Sequence, residues 1–272
     1  MDHEIIQTEE SPFGRVDVLQ RQGLAGSSDA RSAESLFFVQ QAGMRLKTVR
    51  IKLPDRKSKV RVEPGALSYM HGDLEIKAST GGGIMSGLRR KALSGESFFV
   101  NEIHGRGEIW LEPTFGHFFL VDLDDDAIVV DKSLFYASLG DLDVTASMNR
   151  AAAGIAGGEG WFQTKVSGTG IVVLFSPVPM TEVQEFPLNN DKLSVDGNFA
   201  LMRTAGVSFS VERSSKSWIA TSVSGEGLLQ TFTGTGTVWI APTQGVYDRL
   251  ATPGGLADLA GPPGARSTDT RS

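Results

Sequence analysis

The stretch Ser94–Pro113, SGESFFVNEIHGRGEIWLEP, decides how the chain is read. A Gly-Glu pair leads into the apolar run Phe98-Phe99, then Gly105-Arg106-Gly107, then a second apolar run Ile109-Trp110-Leu111, and a proline closes the stretch. The same order returns at Gly157-Gly158-Glu159, Trp161-Phe162, Gly168-Thr169-Gly170, Ile171–Phe175 and Pro177. It returns once more at Ser224-Gly225-Glu226, Leu228-Leu229, Gly234-Thr235-Gly236, Val238-Trp239-Ile240 and Pro242. The Gly-Glu pairs begin at 95, 158 and 225, at intervals of 63 and 67 residues.

Glycine reaches positive φ without the steric cost that other residues meet, so a G-x-G between two apolar runs predicts a hairpin turn joining two strands. It is not a dinucleotide fingerprint, which needs a third glycine and a following helix. The upstream halves repeat more weakly. Val62–Leu67 precedes Gly72-Asp73-Leu74-Glu75-Ile76, Val130–Phe135 precedes Gly140-Asp141-Leu142-Asp143-Val144, and Val195–Ala200 precedes Gly206-Val207-Ser208-Phe209.

Each unit therefore holds about four strands with polar turns. One such unit could not bury its apolar face alone, so the pattern predicts an all-β fold of three pseudo-repeats, sandwich-like units packed about a pseudo-threefold axis. The repeats fall at about 55–118, 119–182 and 183–250 within a single domain over residues 35–250. Residues 1–34, with Gly23–Ser28 reading GLAGSS, are expected to be a flexible arm, and residues 251–272, rich in Pro and Gly, a disordered tail.

From Met44 to Leu53 apolar residues alternate with basic ones, with an interruption at Thr48 that predicts a bulge or turn. Basic residues run on through Arg45, Lys47, Arg50, Lys52, Arg56, Lys57, Lys59 and Arg61 against the single acid Asp55. This pattern fits a solvated strand face guarded by lysine, or an anion-facing surface. The chain as a whole is acidic, with a formal charge of −6, which argues against nucleic acid as its partner. It has no cysteine, hence no disulfide framework and no thiolate metal site. Met1–Glu10 lacks the basic and apolar regions of a secretory signal, and no window approaches the apolar length of a membrane span.

Catalytic constellations are absent from the sequence pattern, and no cofactor is expected. His71 and His104 sit beside Gly72 and Gly105, so they read as turn residues rather than as metal ligands. Asp122, Asp124 and Asp126 match the first positions of a calcium loop, but Ala127 replaces its glycine and Ser133 its bidentate Glu; an acidic turn between repeats is expected instead.

The stretch with the most chemistry precedes the first Gly-Glu pair. Gly81, Gly82 and Gly83 offer backbone N–H groups, Ile84, Met85 and Leu88 offer apolar side chains, and Arg89, Arg90 and Lys91 offer charge. No P-loop pattern is present. The composition suits contact with a protein partner or an anionic membrane surface, with a small anionic ligand at the same glycines as the alternative.

GGGIMSGLRRKALSGESFF at Gly81–Phe99, with VEPGALSYM at Val62–Met70, resembles the signature region of the altered inheritance of mitochondria 24 family, also called the mitochondrial biogenesis family. The resemblance covers roughly Leu36–Leu250. It implies a fold similar to the tryptophan RNA-binding attenuation protein, a shortened double-stranded β-helix repeated within the chain. Eukaryotic members are associated with the mitochondrial inner membrane and its cristae-organising complex, bacterial members lack an assigned activity, and no catalytic residues come with the family. The acidic N-terminus is unlike a mitochondrial presequence and favours a bacterial-type, cytoplasmic protein that can sit peripherally at a membrane. RNA binding does not follow from fold likeness. The expectation is a non-enzymatic β scaffold, with self-association into a homo-oligomer left open.

Overall fold

The computed structural model describes residues 3–80, 99–131, 133–149, 161–196, 199–213 and 228–260. These are predominantly β, and the pairings among the described strands are antiparallel. The chain divides into two compact units, one of Met1–Ser147 with Gln163–Pro179, the other of Met148–Phe162 with Met180–Ser272.

The first unit is built from β1 (His3–Ser11), β2 (Gly14–Arg21), β3 (Lys47–Leu53), β4 (Lys59–Val62), β5 (Leu67–Thr80), β6 (Phe99–Leu111), β7 (His117–Asp131) and most of β8 (Phe135–Asn149) and β9 (Trp161–Ser176). Its strands follow the order β1-β2-β3-β6-β4-β8-β9-β7, with β5 also on β6. Alternation explains the core. Val16 and Val18 of β2, Val49 and Ile51 of β3, Ile109 and Leu111 of β6, Leu139 of β8 and Val173 of β9 are fully buried together. Each such side chain contributes about 1.5–3 kcal/mol through removal from water.

The N-terminal segment differs from the flexible arm expected for residues 1–34. Strands β1 and β2 form a hairpin, β2 pairs with β3 from Gln20↔Lys47 to Arg15↔Lys52, and a helix α1 (Ala30–Gln41) follows. The polar composition of β1 conceals this because β1 is mostly exposed, whereas Val16 and Val18 reach the core. Helix α1 is capped by Asp29, whose carboxylate accepts the Ser32 N–H at 3.0 Å. None of its residues is buried. Thr48 makes no bulge: it is buried in an unshifted register, and its hydroxyl donates to the Leu111 carbonyl at 2.6 Å.

The G-x-G segments are not hairpin turns either. Gly105 and Gly107 lie inside the 13-residue strand β6, opposite Leu74 and Gly72 of β5, in the register Gly72↔Gly107 and Leu74↔Gly105. A Cβ on Gly72, at φ +124°, would stand 2.5 Å from the Arg106 carbonyl oxygen, and one on Gly105, at φ +128°, would run into the Asp73 carbonyl. Glycine serves here to let two long strands press backbone to backbone while they bend. Between β8 and β9, Gly140 faces Gly170 and Gly168 faces Leu142 in the same way.

The acidic run at Asp122–Asp126 is likewise inside a strand. Between Leu123 and Asp126 the β7–β9 register shifts, with Asp125 at φ +52°, so the acidic residues form a bulge rather than a turn between repeats. The amide of Asp125 donates to the Thr169 hydroxyl at 3.1 Å.

The second unit is organised around β13 (Leu228–Ile240). β10 (Gln184–Asp196) pairs along one side of it, and β11 (Ala200–Thr204) and β12 (Val207–Arg213) share the other. Leu188, Val195, Val207, Phe232, Val238 and Ile240 form its core. Here too a bulge, at Asn190 with φ +53°, donates its amide to the middle threonine of a G-T-G, Thr235, at 3.1 Å. Helix α2 (Gln244–Leu250) is tied to a 3-10 turn at Met180–Glu182 by hydrogen bonds from Thr243 and Tyr247 to the Glu182 carboxylate. The tail expected to be disordered from Ala251 carries a further helix, α3 (Gly255–Ala260), where Leu, Ala and Asp replace the Pro-Gly pattern; residues 261–272 lie outside the described residues.

Candidate functional site

The residues singled out from sequence, Gly81, Gly82, Gly83, Ile84, Met85, Leu88, Arg89, Arg90 and Lys91, lie outside the described residues. What the structure places is their support. β5 and β6 pair from Leu67↔Leu111 to Thr80↔Phe99, with one register shift near Tyr69, so residues 81–98 join the two ends of one long antiparallel ribbon.

Five of the eight cations in the basic run ahead of that ribbon are matched by acids. Arg50 meets Asp17 at 2.7 Å, Lys52 meets Glu108 at 3.3 Å, Lys59 meets Asp141 at 3.0 Å, Arg61 meets Glu102 at 3.1 Å, and Arg56 pairs with Asp73. These acids come from distant parts of the sequence, which is why the run looked uncompensated. The geometry supports an internally neutralised strand face rather than an anion-facing one.

One row of side chains crosses five strands. In register order it runs Thr8 of β1, Asp17 of β2, Arg50 of β3, Trp110 of β6 and Tyr69 of β5. Every step is an interaction. Thr8 donates to Asp17 at 2.8 Å, Arg50 pairs with Asp17, the Arg50 guanidinium lies 5.4 Å from the Trp110 ring centre, and Trp110 and Tyr69 stack at 5.5 Å with 13° between their planes. Asp17 is fully buried. Burial alone would raise its pKa, but hydrogen bonds from Arg15, Arg50 and Thr8 outweigh that and hold it below the usual carboxylate range.

At the aromatic end of the row a cavity of about 180 Å³ opens beside Trp110, Tyr69, His3, Lys47, Arg21 and Leu111. The His3 and Trp110 rings lie 5.9 Å apart. The Lys47 ammonium donates to the carbonyls of Arg45 at 3.3 Å and Gly116 at 3.2 Å, and burial pushes its pKa down. Nothing in the sequence pattern singled out this cavity, because its walls come from β1, β2, β3, β5 and β6, which meet only in the folded sheet.

His71 and His104, expected in turns, sit in β5 and β6; the His104 Nε2 lies 2.6 Å from Glu102. Among the described residues no group of three His, Asp or Glu side chains is arranged to hold a metal ion. No described helix is long and apolar enough to cross a membrane.

The sequence matches the model of a family described as mitochondrial biogenesis AIM24 over residues 39–243. A similar solved structure is the crystal structure of a protein from Streptococcus pyogenes, 20% identical, with a TM-score of 0.54, covering 72% of this chain and 88% of that one. At that identity the likeness speaks for the fold alone. No curated protein matches the sequence.

Proposed function

The chain belongs to the mitochondrial biogenesis AIM24 family, and from that premise we propose that it is a non-enzymatic β scaffold that presents Gly81–Lys91 to an anionic partner surface, a membrane or the acidic face of a protein. The observation that carries this reading is the β5–β6 ribbon, paired through to Thr80↔Phe99. Because β4 also pairs with β6 as far as Val62↔Asn101, the two ends that flank the contact segment, Thr80 and Phe99, are anchored at the margin of a sheet. Arg50, Lys52, Lys59 and Arg61 of β3 and β4 supply contrast, since acids already answer them. Arg89, Arg90 and Lys91 then carry the recognition of negative charge, with Ile84, Met85 and Leu88 entering an apolar layer. On this reading the protein is cytoplasmic and binds a membrane only peripherally.

The same reading takes the glycine clusters at Gly72, Gly140 and Gly206 as marks of three copies of one unit about a pseudo-threefold axis. Support comes from the G-x-G that each faces or adjoins. Co-sedimentation with liposomes, neutral and anionic, tests the proposal. Wild type is expected to pellet with anionic vesicles, and the Arg89→Ala, Arg90→Ala, Lys91→Ala triple variant to stay in solution. A pull-down with residues 81–91 deleted reports on a protein partner. Equal, negligible binding in both assays by both forms would sink the proposal.

A further inference from the structure

The cavity beside Trp110 has a composition that selects its guest. Its lining residues are His3, Arg21, Leu46, Lys47, Thr48, Ser68, Tyr69, Trp110, Leu111 and Pro113, with cationic and neutral side chains and no carboxylate. Two stacked aromatic rings and a tilted imidazole form its walls, and leucines and proline add apolar surface. Lys47 uses two of its three N–H donors on carbonyl oxygens, so its ammonium has one donor left for a guest. An ammonium held against carbonyls in a half-buried position is short of a negative partner, and an acid reaching it would form a charge-assisted hydrogen bond. At about 180 Å³ the space equals about six waters, smaller than a drug-sized site and about the size of one ring with one acid group.

We infer that this cavity binds a small aromatic carboxylate, with its ring against Trp110 and Tyr69 and its acid on Lys47. The residues that carry this inference are others than Gly81–Lys91, so it stands whether or not that stretch binds anything. Neither charge nor ring suffices alone: a cationic ring would meet Lys47 and Arg21, and an anion without a ring would leave the aromatic wall uncovered.

Isothermal titration of the full chain tests this with benzoate, phenylacetate, benzylamine and inorganic phosphate. Benzoate and phenylacetate are expected to saturate one site, and benzylamine and phosphate to give no saturable heat. Lys47→Met is expected to weaken benzoate binding by about tenfold or more, through loss of a charge-assisted hydrogen bond. Lys47→Met also loses the hydrogen bonds to the Arg45 and Gly116 carbonyls, so circular dichroism confirms that the variant is folded before it is titrated. Ser68→Phe, at an exposed lining position, is a second variant that fills the cavity and should abolish the signal. The inference is overturned if neither carboxylate saturates, if benzylamine or phosphate binds as well as benzoate, or if both folded variants bind benzoate as wild type does.

Discussion

Arg50 donates to one oxygen of Asp17 twice, from Nη2 at 2.7 Å and from Nε at 3.1 Å, across a register pair of β2 and β3. The other oxygen takes Arg15 Nε at 2.6 Å and the Thr8 hydroxyl at 2.8 Å. A fully buried carboxylate thus satisfies two guanidinium groups. Asp17→Ala removes the anion and leaves both cations behind, which is expected to cost about 3–5 kcal/mol in chemical denaturation. Trp110 loses its ordered neighbour at the same time, so the near-ultraviolet circular dichroism should change along with the midpoint.

The same carboxylate sets a pH dependence. Its folded pKa lies below its unfolded value, which is about 3.9, so its contribution to stability is present above that value and is lost as pH falls through the folded pKa. Unfolding midpoints are expected to hold steady above about pH 5 and to fall in the acid range. Asp17→Asn should flatten that fall, and an unchanged acid slope in the variant would remove Asp17 from the account.

Gly72 and Gly65 both have positive φ, but a Cβ on Gly72 would meet the opposite backbone, whereas one on Gly65 would meet nothing within 4 Å. Gly65→Ala is expected to cost about 1 kcal/mol, the price of backbone strain alone. Gly72→Ala adds a clash with Arg106 and Gly107, so its cost should exceed about 2 kcal/mol. Equal losses for the two variants would mean that the strands can part at little cost.

Thr169 and Thr235 accept the bulge amides of Asp125 and Asn190 at 3.1 Å. Valine has their shape without the acceptor. Thr169→Val and Thr235→Val are each expected to lose about 1 kcal/mol, and serine at either position should recover most of it. Hydrogen exchange at the Asp125 and Asn190 amides is the local readout.

Glu182 accepts from the Tyr247 hydroxyl at 2.7 Å, and that bond, then burial and the Glu182 charge, raise the phenol pKa. Tyr247 is therefore expected to ionise later than a free tyrosine in a spectrophotometric titration. Glu182→Gln should bring it back toward the ordinary value. Helix α2 has seven residues, too few to stand alone, so Glu182→Ala should speed amide exchange over Gln244–Leu250 while the melting temperature moves little.

The β class, the family and the positions of the glycine pairs were legible from the sequence because they rest on local pattern. The role of the glycines was not. Positive φ at Gly105 is compatible with a chain that reverses and with one that bends within a strand, and only its partner Leu74, 31 residues upstream, decides between them. The basic run on β3 and β4 left two readings open for the same reason: its carboxylates, Asp17, Glu102, Glu108 and Asp141, come from other strands. Composition hid β1, since an edge strand with one wet face has a polar sequence. The Trp110 cavity left no sequence signal, because it is a property of five strands at once.

The hairpin of β1 and β2 has a practical consequence for anyone who shortens the chain. Starting at Leu36, as the composition invites, would strip the neighbour from β3, open the ladder between Lys47 and Lys52 to solvent, and take His3 and Arg21 from the cavity. A free strand edge bearing Val49 and Ile51 is a template for a second chain. Such a fragment would be sticky and blind to the proposed carboxylate, and its clumping would say nothing about how the whole protein associates.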